Sequence, residues 1–166
     1  MRWYWIDRFL EFESGRGATA VKNVSLAEEH LHDHFPGSPV MPNALIIEGF
    51  AQSGGLLVGE HTGYKANMIL GKVPKALFHF PACPGDTLTY HITLTGCSDE
   101  GAIVTGTSHV GERLQAEVEV FFANVLEGAA ARRLFTPREL IVMMHLLRAY
   151  DVGRAADGSP LRPPAL

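Results

Sequence analysis

The stretch HDHFPGSPVMPNALIIEGFAQSGGLLVG, residues 32–59, carries the strongest structural signal in the chain. Its second half is apolar or small, and Glu48 is the only charged residue there. Pro42 suits the first turn of a helix, so the sequence predicts a helix from Asn43 to about Glu60. Because this helix is apolar on nearly every face, it is predicted to be buried. A buried carboxylate is costly unless it is paired, neutralised or used chemically, so Glu48 requires an explanation.

The segments around this helix alternate between apolar and polar residues with period two, as strands with one buried face do. Their connections are too short for helical crossovers, which makes the strands antiparallel. Five or six strands are predicted: a hairpin of 5–13 and 17–25 joined at 14–17, a strand over 67–82 bent near Pro74, and strands over 87–96, 101–110 and 114–122. An antiparallel sheet wrapped around one long buried helix is the hot-dog fold, of the α+β class.

The end of the chain differs from this pattern and predicts a C-terminal helical extension at 129–166, after a hot-dog domain at 1–128. Residues 128–133 form a small, basic linker, and TPRE at 136–139 is a capping box with proline at the first helical position. Apolar residues on one stripe then predict a helix near 137–149. The residues after Gly153 are expected to be a loose end.

The composition narrows the class of protein. The 166 residues suggest one domain, or one domain with an appendage, and 46% hydrophobic with 19% charged residues is typical of a globular chain. A net charge of −4 argues against nucleic acid as the main partner. The apolar run is too short to span a bilayer and contains Glu48 and Gln52, and charges near the start exclude a signal peptide. A cytoplasmic protein is therefore expected.

His34 and Glu48 are the residues that could carry chemistry. Histidine accepts a proton near neutral pH, whereas a carboxyl in an apolar helix is pushed toward its neutral form and can donate one. Such a pair suits the elimination of water: the base removes a proton beside a carbonyl and the acid protonates the departing hydroxyl. Free N–H groups of Asn43 and Ala44, at the helix start, are placed to polarise the carbonyl.

The stretch HFPGSPVMPNALIIEGFAQ, from His34 to Gln52, resembles the signature of the 3-hydroxyacyl-acyl-carrier-protein dehydratases, hot-dog enzymes of fatty-acid synthesis. The likeness extends over about residues 5–125. It implies that His34 and Glu48 are catalytic, that the Val40 carbonyl orients the histidine, and that the pair meets across a homodimer, which can assemble further into a trimer of dimers. Gln52 is expected to orient Glu48, and the substrate loop is expected at Phe35, Pro36 and Gly37.

The resemblance also implies a substrate and partners: a 3-hydroxyacyl thioester carried by an acyl carrier protein or by CoA, with no cofactor. A glutamate at position 48, instead of aspartate, is similar to the dehydratase branch without isomerase activity. The family has glycine where this chain has Asn43, whose N–H is expected to face the thioester carbonyl. Around Leu77 to Phe80 the arginines typical of the family are missing, which leaves Lys72 and Lys75 as candidates for contact with the carrier.

Other interpretations of these residues are open at this stage. His30, His32 and His34 would share one face of a strand, as metal ligands can, but the acidic neighbours and the FPG turn favour a solvated edge, so no metal is predicted. The alternative functions are a hot-dog thioesterase, in which a carboxylate activates water, and a non-catalytic acyl-binding or scaffold protein. Asn43 and the missing arginines favour the last.

Overall fold

The computed structural model of this chain describes residues 3–125 and 135–164. The linker predicted at 128–133, and with it the boundary between the two predicted domains, lies outside the described residues. The elements are β1 (Arg8–Glu13), β2 (Gly17–Asn23), α1 (His30–Asp33), α2 (Asn43–His61), β3 (Met68–Phe78), β4 (Thr87–Cys97), β5 (Gly101–Val110), β6 (Arg113–Asn124), α3 (Pro137–Leu146), α4 (Ala149–Val152) and β7 (Gly153–Arg154).

The described strands form one seven-stranded sheet in the order β3-β6-β5-β4-β2-β1-β7. All six predicted strands are present and every pairing among them is antiparallel, which confirms the predicted fold class. The bend expected near Pro74 is found as two register shifts between Leu70 and Lys75 on β3. Proline has no N–H to give to the ladder, so the pairing slips around it.

Helix α2 begins at Asn43, as predicted, and packs against the sheet, where it contacts strands β2 to β6. Small residues allow this close approach. A side chain at Gly49 would come within 2.9 Å of the Trp5 carbonyl and the Tyr90 ring, and one at Gly54 would come within 3.0 Å of Val104. The helix thereby buries Phe50 and Leu57 completely in the core. It is not buried all round in the single chain, because a stripe that includes Glu48, Gln52 and Gly55 is only half-buried.

The C-terminal extension packs on the sheet instead of ending loosely. The predicted capping box is present: the Glu139 N–H donates to Thr136 Oγ1, and Glu139 Oε2 accepts from the Thr136 N–H. Helix α3 ends earlier than the predicted 149, because Arg148 takes a left-handed backbone conformation (φ 62°) before α4.

The loose end expected after Gly153 is wrong for the described residues up to 164. Strand β7 pairs in parallel with the end of β1, and the Leu161 N–H bonds to the Gly153 carbonyl. Leu161 is buried in the core. No helix in residues 3–125 or 135–164 is long and apolar enough to cross a membrane.

Candidate active site

The Glu48 carboxyl is held by a chain of hydrogen bonds from the start of the protein. The Trp5 N–H donates to Gln52 Oε1 at 2.8 Å, and this fixes which way the amide of Gln52 points. Gln52 Nε2 then donates to Glu48 Oε1 at 3.0 Å and to the Trp3 carbonyl at 3.0 Å. One carboxyl oxygen is thus engaged. The orienting contact expected of Gln52 is present, and its backbone partners were not predicted.

Glu48 stands at one end of a cavity of about 360 Å³ that runs beside α2. The cavity walls are mostly apolar side chains of α2, of the start of β3 and of α3. Glu48 is only half-buried in the single chain, so it is less shielded from water than the sequence predicted.

The His34 side chain is fixed by the backbone of its own loop. His34 Nδ1 lies 2.9 Å from the Val40 carbonyl oxygen. Because a carbonyl can only accept, Nδ1 carries the proton and Nε2 presents its lone pair. The Phe35 ring stacks on the imidazole at 4.2 Å between centroids, and paired bonds between the backbones of Phe35 and Ser38 close the loop. Gly37 takes a φ of +77° in this loop, which glycine adopts freely.

The start of α2 faces the same cavity as the histidine. His34, Val40 and Asn43 line a cavity of about 550 Å³ together with residues 78–81. The first N–H of the helix with an acceptor is that of Leu45, which bonds to the Pro42 carbonyl. Helix geometry leaves the N–H groups of Asn43 and Ala44 without intrahelical acceptors. Asn43 has a negative φ, so asparagine replaces the family glycine without backbone strain.

The two catalytic candidates do not share a cavity within one chain. His34 lines the cavity at the helix start, whereas Glu48 lines the one beside the helix. The expected loop residues Phe35, Pro36 and Gly37 are all exposed beside the histidine. In a single chain, the candidate base His34 and the candidate acid Glu48 therefore lie in separate cavities.

The three alternating histidines are not on a strand, which removes the geometry considered for a metal. Residues 30–33 form the short helix α1, and His30 turns inward to pack edge-on against the Trp5 ring at 5.1 Å. Burial lowers the pKa of His30, so it favours the neutral form. His32 is exposed and bonds to the Leu26 carbonyl. In residues 3–125 and 135–164 no three His, Cys, Asp or Glu side chains are placed to hold a metal ion.

An arginine does lie next to the His34 cavity. It belongs to β6 and not to the stretch 77–80, where the arginines typical of the family are missing. The Arg113 guanidinium lies 4.1 Å from the centroid of the Phe80 ring. Lys75 donates to Glu117 at 2.8 Å, and His79 lies 3.2 Å from the other oxygen of that carboxylate. These two contacts, Lys75 first, lower the pKa of Glu117. The register of β3 on β6 places Arg113 here, which no local motif could reveal.

Three side chains of the extension, Phe135, Leu140 and Met143, also line the Glu48 cavity. The sequence predicted the helix of the extension but not the surface that this helix covers. Leu140 and Met143 lie on the apolar stripe of this helix, and that stripe predicts that one face is buried. The stripe alone does not predict the cavity against which the face packs.

The fold and the site together define a hot-dog protein with a histidine loop, an acidic central helix and an open helix start. Residues 3–119 match the FabA-like domain family. The chain is 36% identical over 121 residues to the 3-hydroxyacyl-[acyl-carrier-protein] dehydratase FabZ of Symbiobacterium thermophilum, covering 72% of this chain and 85% of that one. It is 38% identical to the FabZ of Pelotomaculum thermopropionicum over 71% of this chain and 85% of the other. The chain therefore belongs to the FabA-like dehydratase family.

Solved structures agree on the fold. The dehydratase heterocomplex ApeI:P from Xenorhabdus doucetiae superposes with a TM-score of 0.62 at 14% identity, covering 84% of this chain and 88% of the other. A Streptococcus mutans protein bound to acetyl CoA superposes with a TM-score of 0.59 at 13% identity, covering 75% and 93%. The family match ends at residue 119, before α3, so the extension lies beyond it.

Proposed function

We propose that this chain is a 3-hydroxyacyl-[acyl-carrier-protein] dehydratase, a hydro-lyase that forms the trans-2-enoyl thioester. The observation that carries the proposal is the His34 imidazole, which donates Nδ1–H to Val40 and offers Nε2 in a cavity that also contains the open start of α2. A base beside free backbone N–H groups suits proton abstraction next to a thioester carbonyl. The curated FabZ relatives support this reaction.

The elimination divides between the two residues. His34 Nε2 takes a proton from C2, the electrons form the C2=C3 bond, and the C3–O bond breaks as Glu48 protonates the departing oxygen to give water. The N–H groups at Asn43 and Ala44 stabilise the negative charge that develops on the thioester oxygen. Afterwards the imidazolium and the carboxylate must exchange one proton to return to their starting states.

The separation of His34 from Glu48 supports a homodimer in which each site uses two chains. In the described residues β3 is at one edge of the sheet, eleven residues long, with Leu70 and Leu77 exposed by 40% and 46%. An edge strand with unpaired backbone groups and exposed leucines is a surface on which another chain can pair, and on β3 such pairing is restricted to the parts away from Lys72, Pro74 and Lys75. Pairing two β3 edges would bring the His34 cavity of one subunit toward α2 of the other.

The carrier protein is the proposed partner for the rim of the His34 cavity. Arg113 lies on the Phe80 ring, which lines this cavity, and Lys75 is bonded to Glu117 beside His79; the positive charges of the arginine and the lysine suit an acidic partner that delivers a phosphate-linked thioester arm. The sequence expectation that Lys75 contacts the carrier belongs to this proposal. The cytoplasmic location expected from the sequence stays a prediction.

The test is incubation of the protein with 3-hydroxyacyl thioesters of acyl carrier protein and of CoA. Appearance of the conjugated enoyl thioester, followed by its ultraviolet absorbance and by mass spectrometry, is the expected result. Release of free thiol without enoyl product would point to a thioesterase, and binding without turnover to a non-catalytic protein. The ratio of rates on the two carriers measures what the positively charged rim contributes.

A further inference from the structure

The C-terminal extension closes the Glu48 cavity at the end remote from the carboxyl. Four residues of α2, Glu48, Gln52, Gly55 and Gly59, lie along one stripe of the cavity wall. At the Gly59 end, a Cβ on that glycine would lie 3.6 Å from Leu140 Cδ1. Leu140 belongs to α3, so the side wall of the cavity meets the extension there.

The extension is fixed in this position, so it forms a wall and not a loose cover. Leu147, at the end of α3, accepts a hydrogen bond from the Phe9 N–H at 2.8 Å, and the Tyr64 and Tyr150 hydroxyls are 2.7 Å apart. Met144 is fully buried in the core. The C-terminal end of α3 and the following α4 are thus anchored to β1 and to the segment after α2, while Leu140 and Met143 of α3 line the cavity.

The shape and chemistry of this cavity suit an acyl chain. It is lined mostly by apolar side chains, and the carboxyl of Glu48 and the amide of Gln52 lie together on α2. The Asn67 side chain, which also lines the cavity, donates to the Val125 carbonyl. Bare glycines at 55 and 59 leave its side wall unobstructed. Glu48 and Gly59 are separated by eleven helical steps of about 1.5 Å, or about 16 Å in all. With C–C bonds of about 1.5 Å, an extended chain advances about 1.3 Å per carbon, so about twelve carbons fit.

We propose that Leu140 and Met143 of the extension are specificity-determining residues that limit 3-hydroxyacyl substrates to chains of about fourteen carbons, of which about twelve, counted from C3, lie between Glu48 and Gly59. This inference rests on the proposed function, because it takes the reacting C3 hydroxyl to lie at Glu48 and the tail of the chain to point toward Gly59. The match to the family ends at residue 119, before α3, so this limit belongs to the extension of this chain.

The variant Leu140→Ala tests the limit because it opens the cavity end at a half-buried position. The matched control is Leu146→Ala, the same change on the same helix at a leucine that is 57% exposed. Turnover is measured as kcat/KM over a series of 3-hydroxyacyl thioesters from butyryl to icosanoyl. We expect Leu140→Ala to extend the accepted length by two to three carbons, with a gain of about fourfold in kcat/KM for each additional methylene that becomes buried.

The short substrates separate the two proposals. The 3-hydroxybutyryl chain does not reach Leu140, so its turnover reports on the dehydratase chemistry alone, and the length limit is measured as the ratio of kcat/KM for each longer chain to kcat/KM for 3-hydroxybutyryl. If no chain length is turned over by the unmodified protein, the dehydratase proposal fails. The extension is then tested by calorimetric binding of saturated acyl pantetheine thioesters, for which the same shift in length preference is expected.

A length profile of Leu140→Ala that superposes on that of the unmodified protein would overturn the inference, as would an equal shift in Leu146→Ala. Leu140→Val trims less and leaves a smaller cavity, so it should shift the profile in the same direction by a smaller amount. If thermal melting shows that Leu140→Ala is poorly folded, the length profile of Leu140→Val is used in its place.

Discussion

At His34, one hydrogen bond sets the tautomer on which the chemistry depends. The Val40 carbonyl can accept only from Nδ1–H, and this leaves Nε2 as the base. Removing the ring in His34→Ala should lower kcat for dehydration by about 10² to 10⁴, the usual contribution of a general base. The fold should persist because His34 is only half-buried in a surface loop. Enoyl formation is the assay, and circular dichroism reports on the fold.

The control for this prediction is His32→Ala. His32 is also in the region before α2 and is exposed, and its side chain bonds to the Leu26 carbonyl. It should keep nearly full activity. Activity of His34→Ala close to that of the unmodified protein would show that the base is elsewhere.

Two substitutions at Asn43 distinguish the role of its side chain from the role of its backbone N–H. Asn43→Gly removes the side chain from the cavity and keeps the N–H, so activity should stay similar or rise modestly. Asn43→Pro removes the N–H at the first helical position, where proline is tolerated, and the preceding Pro42 already has a compatible ψ of 130°. Loss of one such donor should lower kcat by about 10² to 10³.

Circular dichroism and thermal melting of both Asn43 variants establish that α2 still forms. An inert glycine variant would mean that the amide side chain itself binds the substrate. A fully active proline variant would exclude the Asn43 N–H from the oxyanion site.

At the residue scale, a contact could be predicted only when its two partners are close together in the sequence. The bond from His34 to Val40 spans six residues within one motif, and the resemblance implied it. The partners of Gln52 lie forty-seven and forty-nine residues away on the segment before β1, where no pattern marks them. Arg113 reaches Phe80 for the same reason, through the pairing of β6 with β3.

At the scale of elements, the C-terminal end of α2 carries a buried acid. Burial raises the pKa of Glu60, whereas a hydrogen bond from Ser14 and the nearby His61 oppose this. Oε2 of Glu60 is buried without a hydrogen-bond partner in the described residues. Because its folded pKa lies above its unfolded value, Glu60 favours the folded state at acidic pH, and this contribution is lost as the pH rises through the folded pKa.

Glu60→Gln should therefore stabilise the protein at neutral pH. The amide cannot ionise, so the gain should disappear near pH 4, below the unfolded pKa of about 4.3. Since Glu60 is partly accessible, solvent screening keeps the expected gain in the free energy of unfolding below about 1 kcal/mol. Urea denaturation at the two pH values is the measurement, with the exposed Glu112→Gln as control. A variant less stable than the unmodified protein at neutral pH would contradict this account.

The elements themselves were predicted to different degrees. Helix α2 and the six main strands were predicted because their periodicity extends over many residues. Helix α1 was missed because four residues are too few to show a period, and so His30, His32 and His34 could be imagined on a strand. The break in α3 was missed because it depends on the left-handed Arg148, a residue type that gives no turn signal.

At the scale of the whole molecule, the sheet has two different edges in the described residues. Strand β7 covers the β1 edge with only Gly153 and Arg154, and it could not be predicted from so short a segment. Strand β3 leaves the opposite edge unpaired in the described residues, with Leu70 and Leu77 exposed on it. This asymmetry supports assembly through β3 and links the oligomeric state to the active site, because one chain places His34 and Glu48 in separate cavities.

Mixing two inactive variants tests this composite site. If each site takes His34 from one subunit and Glu48 from the other, His34→Ala and Glu48→Gln are each inactive as homodimers. A heterodimer of the two contains one intact site and one doubly altered site. Random exchange of subunits should then restore about a quarter of the sites of the unmodified protein, as follows from two-fold symmetry. Native mass spectrometry confirms that the heterodimer has formed. If the heterodimer is inactive, both residues of each site come from the same chain. If the protein is active but sediments as a monomer at micromolar concentration, a site shared between two chains is excluded.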